Sequence, residues 1–140
     1  MAIELHDQLR DAGLRVTSGR VAVLETLHHA PHSDAESLYQ SLKQQLPGLS
    51  VQSVHNVLGD LTGAGLLRRI QPSGSPARYE RRTGDNHHHL VCRQCGAITD
   101  VDCAHGEAPC LTPIDAAGYT VTTAEVTYWG TCPECSATAS

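Results

Sequence analysis

Two C-x2-C pairs offer the most direct chemistry in this sequence. Cys92 and Cys95 form the first pair, and Cys132 and Cys135 form the second. Four thiolates in a tetrahedral array make a closed structural zinc site. Two thioredoxin-like redox motifs are the alternative, but neither pair is predicted to begin a helix after a strand in a βαβ setting. The sequence therefore favours one structural Zn(II) ion, which would also stabilise a half of the chain with little core.

A run of three histidines, His87–His89, comes just before the first cysteine pair. Because side chains alternate between the faces of a strand, His87 and His89 can converge on one metal ion. Nearby carboxylates could complete a site of mixed nitrogen and oxygen ligands, which suits Fe(II) or Mn(II). A polar surface strand is the alternative. The carboxylates are Glu80, Asp100 and Asp102.

The remaining cysteines, Cys103 and Cys110, belong to neither pair. Two ordinary reduced thiols are the simpler interpretation. A redox-active or second metal-binding role is the alternative, because reactivity depends on thiolate fraction and exposure.

A competing zinc motif runs through the same region. His105-Gly106-Glu107 followed by the second cysteine pair is similar to the signature of zinc-dependent nucleobase deaminases. However, Thr131 stands where that signature has proline, and such a hydrolase would leave Cys92 and Cys95 without a role. A deaminase-like hydrolase is therefore the weaker hypothesis.

The first half of the chain is predicted to form four short helices and a hairpin. Helix signals occur at Gly13 (an end), and at Thr17-Ser18, Ser33–Glu36 and Ser50 (N-terminal caps). Short extended runs at 66–70 and 77–81 flank a breaker-rich tip. This order is typical of a winged helix-turn-helix, in which the fourth helix enters the major groove of DNA. A plain helical bundle has the same hydrophobic pattern and is the alternative.

The charge distribution is compatible with a focused DNA contact. The net charge of −5 divides into +1 for residues 1–82 and −6 for residues 83–140, and five arginines fall between 68 and 82. A local positive excess can bind a polyanion, whereas an isoelectric point of about 5.9 argues against loose coating of nucleic acid. The predicted DNA contacts are Arg15, Arg20, Gln52, Ser53, His55, Asn56, Arg68, Arg69 and Arg78.

The second half is predicted to be a small α/β unit, so the fold class is α/β (α+β). Strands are expected at 87–92, 97–101 and 119–129, and any helix within 103–117 is short or broken by prolines. The expected organisation is a winged-helix domain at residues 1–82, a hinge at 83–86 and a metal-binding domain at 87–140.

Length and composition limit the number of domains and the class of protein. The chain has 140 residues and 15.0 kDa, room for one ordinary domain or two small ones. No apolar run approaches the roughly 18 residues that cross a bilayer, and no cleavable signal segment opens the sequence. We therefore expect a cytoplasmic protein whose paired thiols serve metal chemistry rather than disulfides.

Several segments resemble the ferric uptake regulator (Fur) family, from about residue 5 to residue 135. The histidine run joined to the first cysteine pair is the most specific of them. The segments are Leu14–Thr17, Ala35–Tyr39, Gly65–Leu67, Ala77–Glu80, His87–Gly96 and Gly130–Cys135. Arg69–Ser75 and Asp102–Cys110 look like the actinobacterial FurA/CatR (PerR-like) subgroup, which is associated with peroxide sensing and catalase-peroxidase control.

The resemblance implies a homodimeric, metal-dependent repressor rather than an enzyme. Its N-terminal domain would bind an inverted-repeat operator in double-stranded DNA, and residues 87–140 would dimerise. A regulatory Fe(II) or Mn(II) ion would tie the two halves together, and peroxide reacting with bound Fe(II) would oxidise His32 or His87 and release the operator. An iron, zinc or nickel sensor is the alternative within the family. The implied ligands are His32, Glu80, His87, His89 and Asp100.

Three positions affect what the resemblance implies. His55 replaces the tyrosine that in the family commonly meets a thymine. Asp100 resembles the peroxide sensors at the last ligand position, whereas Glu80 does not favour them. Ala124 stands where a further family metal site has histidine, so that site is not predicted.

Overall fold

The computed structural model describes residues 2–81, 87–102 and 113–138 of the chain. The chain divides into two units, Met1–Thr83 and Gly84–Ser140. The predicted hinge at 83–86 lies outside the described residues, as do Cys103, Cys110, His105 and Glu107. Within the described ranges, no helix is long and apolar enough to span a membrane.

The first unit contains four helices followed by a two-stranded antiparallel sheet, which is the predicted order. The elements are α1 (Ala2–Asp11), α2 (Ser18–His29), α3 (Ala35–Leu42), α4 (Val51–Gly63), β1 (Arg68–Ile70) and β2 (Arg78–Glu80). We call β1, β2 and residues 71–77 between them the wing. On its other edge, β2 forms an isolated bridge from Tyr79 to Ser33, just before α3.

A leucine-rich core holds the helices of the first unit together. Leucines and valines recur at helical spacing on one face of each helix, so that face is buried. Each such side chain contributes about 1.5–3 kcal/mol through removal from water, which compensates for the absence of phenylalanine. The core residues are Leu5, Leu9, Val23, Leu24, Leu27, Ala35, Leu38, Leu42, Val54, Leu58, Leu61, Leu67 and Tyr79.

The helix caps follow the sequence signals with one difference. Thr17 caps α2, and Ser50 caps α4 in a reciprocal capping box with Ser53. At α3, however, the cap is Asp34, whose side chain accepts from the amide of Ser37 at 2.8 Å. The prediction of a capping box opening at Ser33 is wrong in this respect, because the Ser33 backbone pairs with β2 and its hydroxyl donates to Ala30.

The second unit contains a three-stranded mixed sheet and a short helix. The strands are β3 (His87–Cys92), β4 (Ile98–Asp102) and β5 (Thr127–Gly130), and the helix is α5 (Pro133–Thr138). Their order in the sheet is β4-β3-β5, with β3 antiparallel to β4 and parallel to β5.

The last strand is shorter than predicted. A strand was expected over 119–129, but regular pairing begins at Thr127 and continues to Gly130. Just before the strand, the carbonyl of Val126 accepts from the amide of His89 at 3.3 Å, whereas its own amide donates to Nδ1 of His88 at 3.3 Å. The β-branching therefore indicated a strand but misplaced its ends.

Candidate metal centres and nucleic-acid interface

Four cysteine sulfurs cluster in the second unit. Cys92 ends β3, Cys95 follows in the turn to β4, and the other two lie at the start of α5. The Sγ atoms of Cys92, Cys95, Cys132 and Cys135 all lie within 4.8 Å of one another. Those of Cys95 and Cys132 are 3.7 Å apart, and two sulfurs bound to one tetrahedral zinc at about 2.3 Å are separated by about 3.8 Å. The donor set and its spacing therefore fit Zn(II).

Hydrogen bonds within this cluster change the pKa values of its thiols. Hydrogen bonds from the amides of Cys95 and Cys132 hold the pKa of the Cys92 thiol at about 6, below its ordinary value of 9.0. The hydrogen bond of Cys135 to Cys132, together with burial, raises the pKa of Cys135 to about 12. Without a cation the four thiols cannot all ionise at neutral pH, whereas a coordinated metal deprotonates its thiol ligands.

The second cysteine pair lies at a junction between a strand and a helix. Although α5 begins three residues after β5, no strand follows it in the described residues, so Cys132 and Cys135 do not lie in a βαβ unit. A redox dithiol is also not favoured because Cys132 Sγ lies beside Cys95 of the other pair. The sulfurs form one cluster rather than two separate dithiols.

A buried histidine–carboxylate pair lies in the first unit. Nε2 of His32 is 2.9 Å from Oε2 of Glu80, and the two side chains are 8% and 1% exposed. Glu80 ends β2, and His32 comes just before α3 with a φ of 67°. Left-handed backbone is unusual for a residue other than glycine and persists where surrounding contacts require it. In the sequence, His32 resembles an ordinary loop histidine, and family resemblance was the signal that singled it out.

A second set of nitrogen and oxygen donors lies in the second unit. His89 pairs with Asp100 across β3 and β4, and Oδ1 of Asp100 is 3.7 Å from Nε2 of His87 and 3.5 Å from Nε2 of His89. All three histidines of β3 are buried, so the alternative of a polar surface strand is wrong. Asp102 pairs with His87 in the register but is exposed. Imidazole and carboxylate donors of this kind suit Fe(II) and Mn(II).

The outer face of α4 presents polar side chains to solvent. Gln52, His55 and Asn56 are exposed, and Gln52 donates to Asn56 at 3.0 Å along the helix. Ser53 differs from them, because its hydroxyl donates to the carbonyl of Ser50 within the cap. The face could therefore present amide and imidazole groups to base edges.

The arginines that the sequence predicted as DNA contacts differ in their hydrogen-bond partners and exposure. Arg20, with a side chain 18% exposed, donates to the carbonyl of Arg15 at 2.7 Å and forms an ion pair with Asp60 at 3.1 Å. Arg78 also has partners within its unit, whereas Arg69 is exposed and donates to Gln71 at the surface. Arg15 is exposed, and Arg68 is half-buried on β1. Arg20 and Arg78 thus hold elements together.

Comparisons with known proteins agree on one family. A family model described as "Ferric uptake regulator family" matches residues 11–129. Transcriptional regulator FurA of Mycobacterium tuberculosis is 60% identical over 130 residues, which cover 93% of this chain and 88% of FurA.

Solved structures show the same fold. The Vibrio cholerae ferric uptake regulator aligns with a TM-score of 0.69 and 26% identity, over 91% of this chain and 98% of that one. PerR from Streptococcus pyogenes, whose structure is described as a basis for peroxide sensing and gene regulation, aligns with a TM-score of 0.53 and 26% identity, over 96% and 92%. The α/β fold with an N-terminal DNA-binding part and a C-terminal dimerisation part, expected from the sequence, is confirmed.

Proposed function

Because the chain belongs to the ferric uptake regulator family, we propose that it is a metal-dependent transcriptional repressor that responds to peroxide. Its relatives are transcriptional regulators and not enzymes, which removes the deaminase-like hydrolase from consideration. The observation that carries the proposal is the buried contact between His32 and Glu80, at 2.9 Å. Buried charged groups are paired or coordinate metals, and imidazole and carboxylate are both metal ligands.

Two kinds of metal occupy this repressor. Structural Zn(II) is held by the cysteine cluster, and the sulfur spacing supports this assignment. A regulatory Fe(II) ion, replaceable by Mn(II), takes its ligands from His32 and Glu80 of the first unit and from His87, His89 and Asp100 of the second. Such an ion binds one arrangement of the two units more tightly than others, and therefore shifts the population towards it.

DNA binding follows from a dimer of winged helices. Residues 1–82 bind DNA, residues 83–86 are the hinge, and residues 87–140 dimerise. The exposed side chains of Leu90 and Tyr128, which lie opposite each other in the register at 44% and 49% exposure, support an interface on this sheet. The two copies of α4 then read the halves of an inverted repeat, with Gln52, His55 and Asn56 at the bases.

The response to peroxide depends on the histidine ligands. Bound Fe(II) would supply one of the two electrons that reduce peroxide, and the imidazole of His32 or His87, which would help to hold the ion, would supply the other and be oxidised. An oxidised imidazole is a poorer ligand, so the metal-stabilised arrangement loosens and the operator is released. If the protein controls catalase-peroxidase genes, peroxide would induce the enzyme that removes it. The similarity to PerR and the aspartate at position 100 support this assignment.

A gel retardation experiment tests the proposal. Purified protein loaded with Mn(II), or anaerobically with Fe(II), is mixed with its operator and then treated with hydrogen peroxide. We expect peroxide to release DNA from the Fe(II) form and not from the Mn(II) form. Identical behaviour of the two forms would contradict peroxide sensing and leave an iron, zinc or nickel sensor of the same family.

A further inference from the structure

Arg78 connects the turn of the wing to the loop that carries His32. Its Nε donates to the hydroxyl of Ser75 at 3.0 Å, and its Nη1 donates to the carbonyl oxygen of His32 at 3.3 Å. Ser75 itself closes the wing turn by donating its amide hydrogen to the carbonyl of Pro72 at 3.0 Å. One guanidinium therefore joins the hairpin turn to the residue that precedes Ser33.

The backbone of His32 needs such support. A φ of 67° is unfavourable for a residue with a β-carbon, and the conformation persists only when neighbours hold it. Three consecutive residues of β2 do so. Arg78 holds the carbonyl of His32, the carbonyl of Tyr79 accepts from the amide of His32 at 2.9 Å, and Glu80 contacts its imidazole.

We propose that Arg78 is a positioning residue for the regulatory metal, and that it couples the metal site to the wing. The inference rests on the proposed function, because it requires His32 and Glu80 to be metal ligands. Arg78 holds His32 in the conformation that binds metal, and through Ser75 it holds the wing turn in the corresponding conformation. By linkage, any ligand that stabilises this wing conformation, including the DNA backbone, tightens metal binding, and the reverse also holds.

The proposal predicts that loss of Arg78 weakens metal binding, whereas electrostatics alone would predict stronger binding. Removing a positive charge near a cation site should strengthen cation binding if charge were the dominant effect. A positioning role requires the reverse, because His32 would no longer be held for coordination. Residues that orient a ligand from outside the coordination shell typically change metal affinity by about 10- to 100-fold when removed.

Mn(II) affinity of the full chain, measured without DNA from the electron paramagnetic resonance signal of free Mn(II), tests this role. We expect Arg78→Gln to weaken Mn(II) binding about 10-fold or more. Arg69→Gln is the matched control, because it removes the same charge from the same hairpin, and its affinity should stay at the wild-type level or increase slightly. Zinc content and thermal melting report whether each variant is folded.

Arg78→Lys provides a second folded variant that keeps the charge. A lysine has a single point donor and cannot hold Ser75 and the His32 carbonyl together as the guanidinium fork does. We expect this variant also to bind Mn(II) more weakly. If both Arg78 variants bind Mn(II) as tightly as wild type while Glu80→Gln binds it weakly, the positioning role is wrong and the metal site stands. If Glu80→Gln binds normally, both proposals fail.

Discussion

Nε2 of His32 lies 2.9 Å from Oε2 of Glu80, and both side chains are almost completely removed from solvent. Burying an imidazole and a carboxylate is unfavourable unless each is paired, and removal of one leaves the other uncompensated. Glu80 ends the wing strand, and His32 has a left-handed backbone beside that strand. The wing is therefore tied to a candidate ligand pair through both backbone and side chains.

Substitution of the buried carboxylate should separate metal binding from folding. We expect Glu80→Gln to weaken Mn(II) binding by at least about 10-fold, because a neutral amide is a much poorer ligand than a carboxylate of the same shape. Isothermal titration with Mn(II) measures this effect, and zinc content should not change. Glu36→Gln, an exposed position on α3, is the control and should bind as wild type. Equal affinities for the two variants would contradict the assignment.

Loss of one zinc ligand should unfold the second unit. We expect Cys92→Ser to lose its Zn(II), since the binding free energy of a structural zinc is largely folding free energy. Trp129 is the sole tryptophan, and the guanidinium carbon of Arg93 lies 5.1 Å from the centre of its ring. Unfolding would expose this ring to water, so the tryptophan emission should shift to longer wavelength. Metal analysis and fluorescence measure the two effects.

The control for this substitution is another cysteine. Cys103→Ser removes a thiol outside the two C-x2-C pairs, and it should keep one zinc per chain and the wild-type emission. A zinc-free Cys92→Ser protein with unchanged emission would show that the metal does not stabilise this unit.

The exposed histidine of α4 should contribute to operator recognition. We expect His55→Ala to weaken specific binding by about 1 kcal/mol, the net value of one hydrogen bond or about fivefold in Kd. Binding to unrelated DNA should not change, because base contacts rather than phosphate contacts carry sequence information. Fluorescence anisotropy with both DNAs measures the ratio. His28→Ala, exposed near the end of α2, is the control, and equal losses in the two variants would argue against recognition by α4.

The cap of α3 should have a pH-dependent contribution to stability. Asp34→Ala should lower the free energy of unfolding by about 1 kcal/mol at neutral pH, because the amide of Ser37 loses its acceptor. Asp34→Asn should cost less, since it retains a side-chain oxygen but lacks the charge beside Arg78. Urea denaturation followed by circular dichroism measures both values.

The sign of the pH effect follows from the direction of the shift. The pKa of Asp34 is lowered in the folded chain from its ordinary value of 3.8. The stabilisation from its ionised form is therefore complete above pH 3.8 and is lost as the pH falls through the folded pKa. The difference between wild type and Asp34→Asn should shrink over that range, and a difference that grows on acidification would contradict the charge effect.

Local spacing allowed the sequence to determine much of the chemistry. Two C-x2-C pairs indicated a zinc cluster, because two residues between cysteines let both sulfurs reach one ion. The strand period of two placed His87 and His89 on one face, and both contact Asp100. Hydrophobic spacing and caps located the four helices to within a few residues. These features depend on backbone geometry over a few residues, which a sequence specifies directly.

Contacts between distant residues were decided only by the tertiary structure. His32 and Glu80 are 48 positions apart, and their contact depends on how the segment before α3 packs against β2. The folded chain also brings Oδ1 of Asp100 within 3.7 Å of Nε2 of both His87 and His89. Packing gave Arg20 and Arg78 partners within the first unit, although their charge alone had suggested DNA. A charged side chain has no preferred partner in the sequence, and the folded chain determines which one lies within reach.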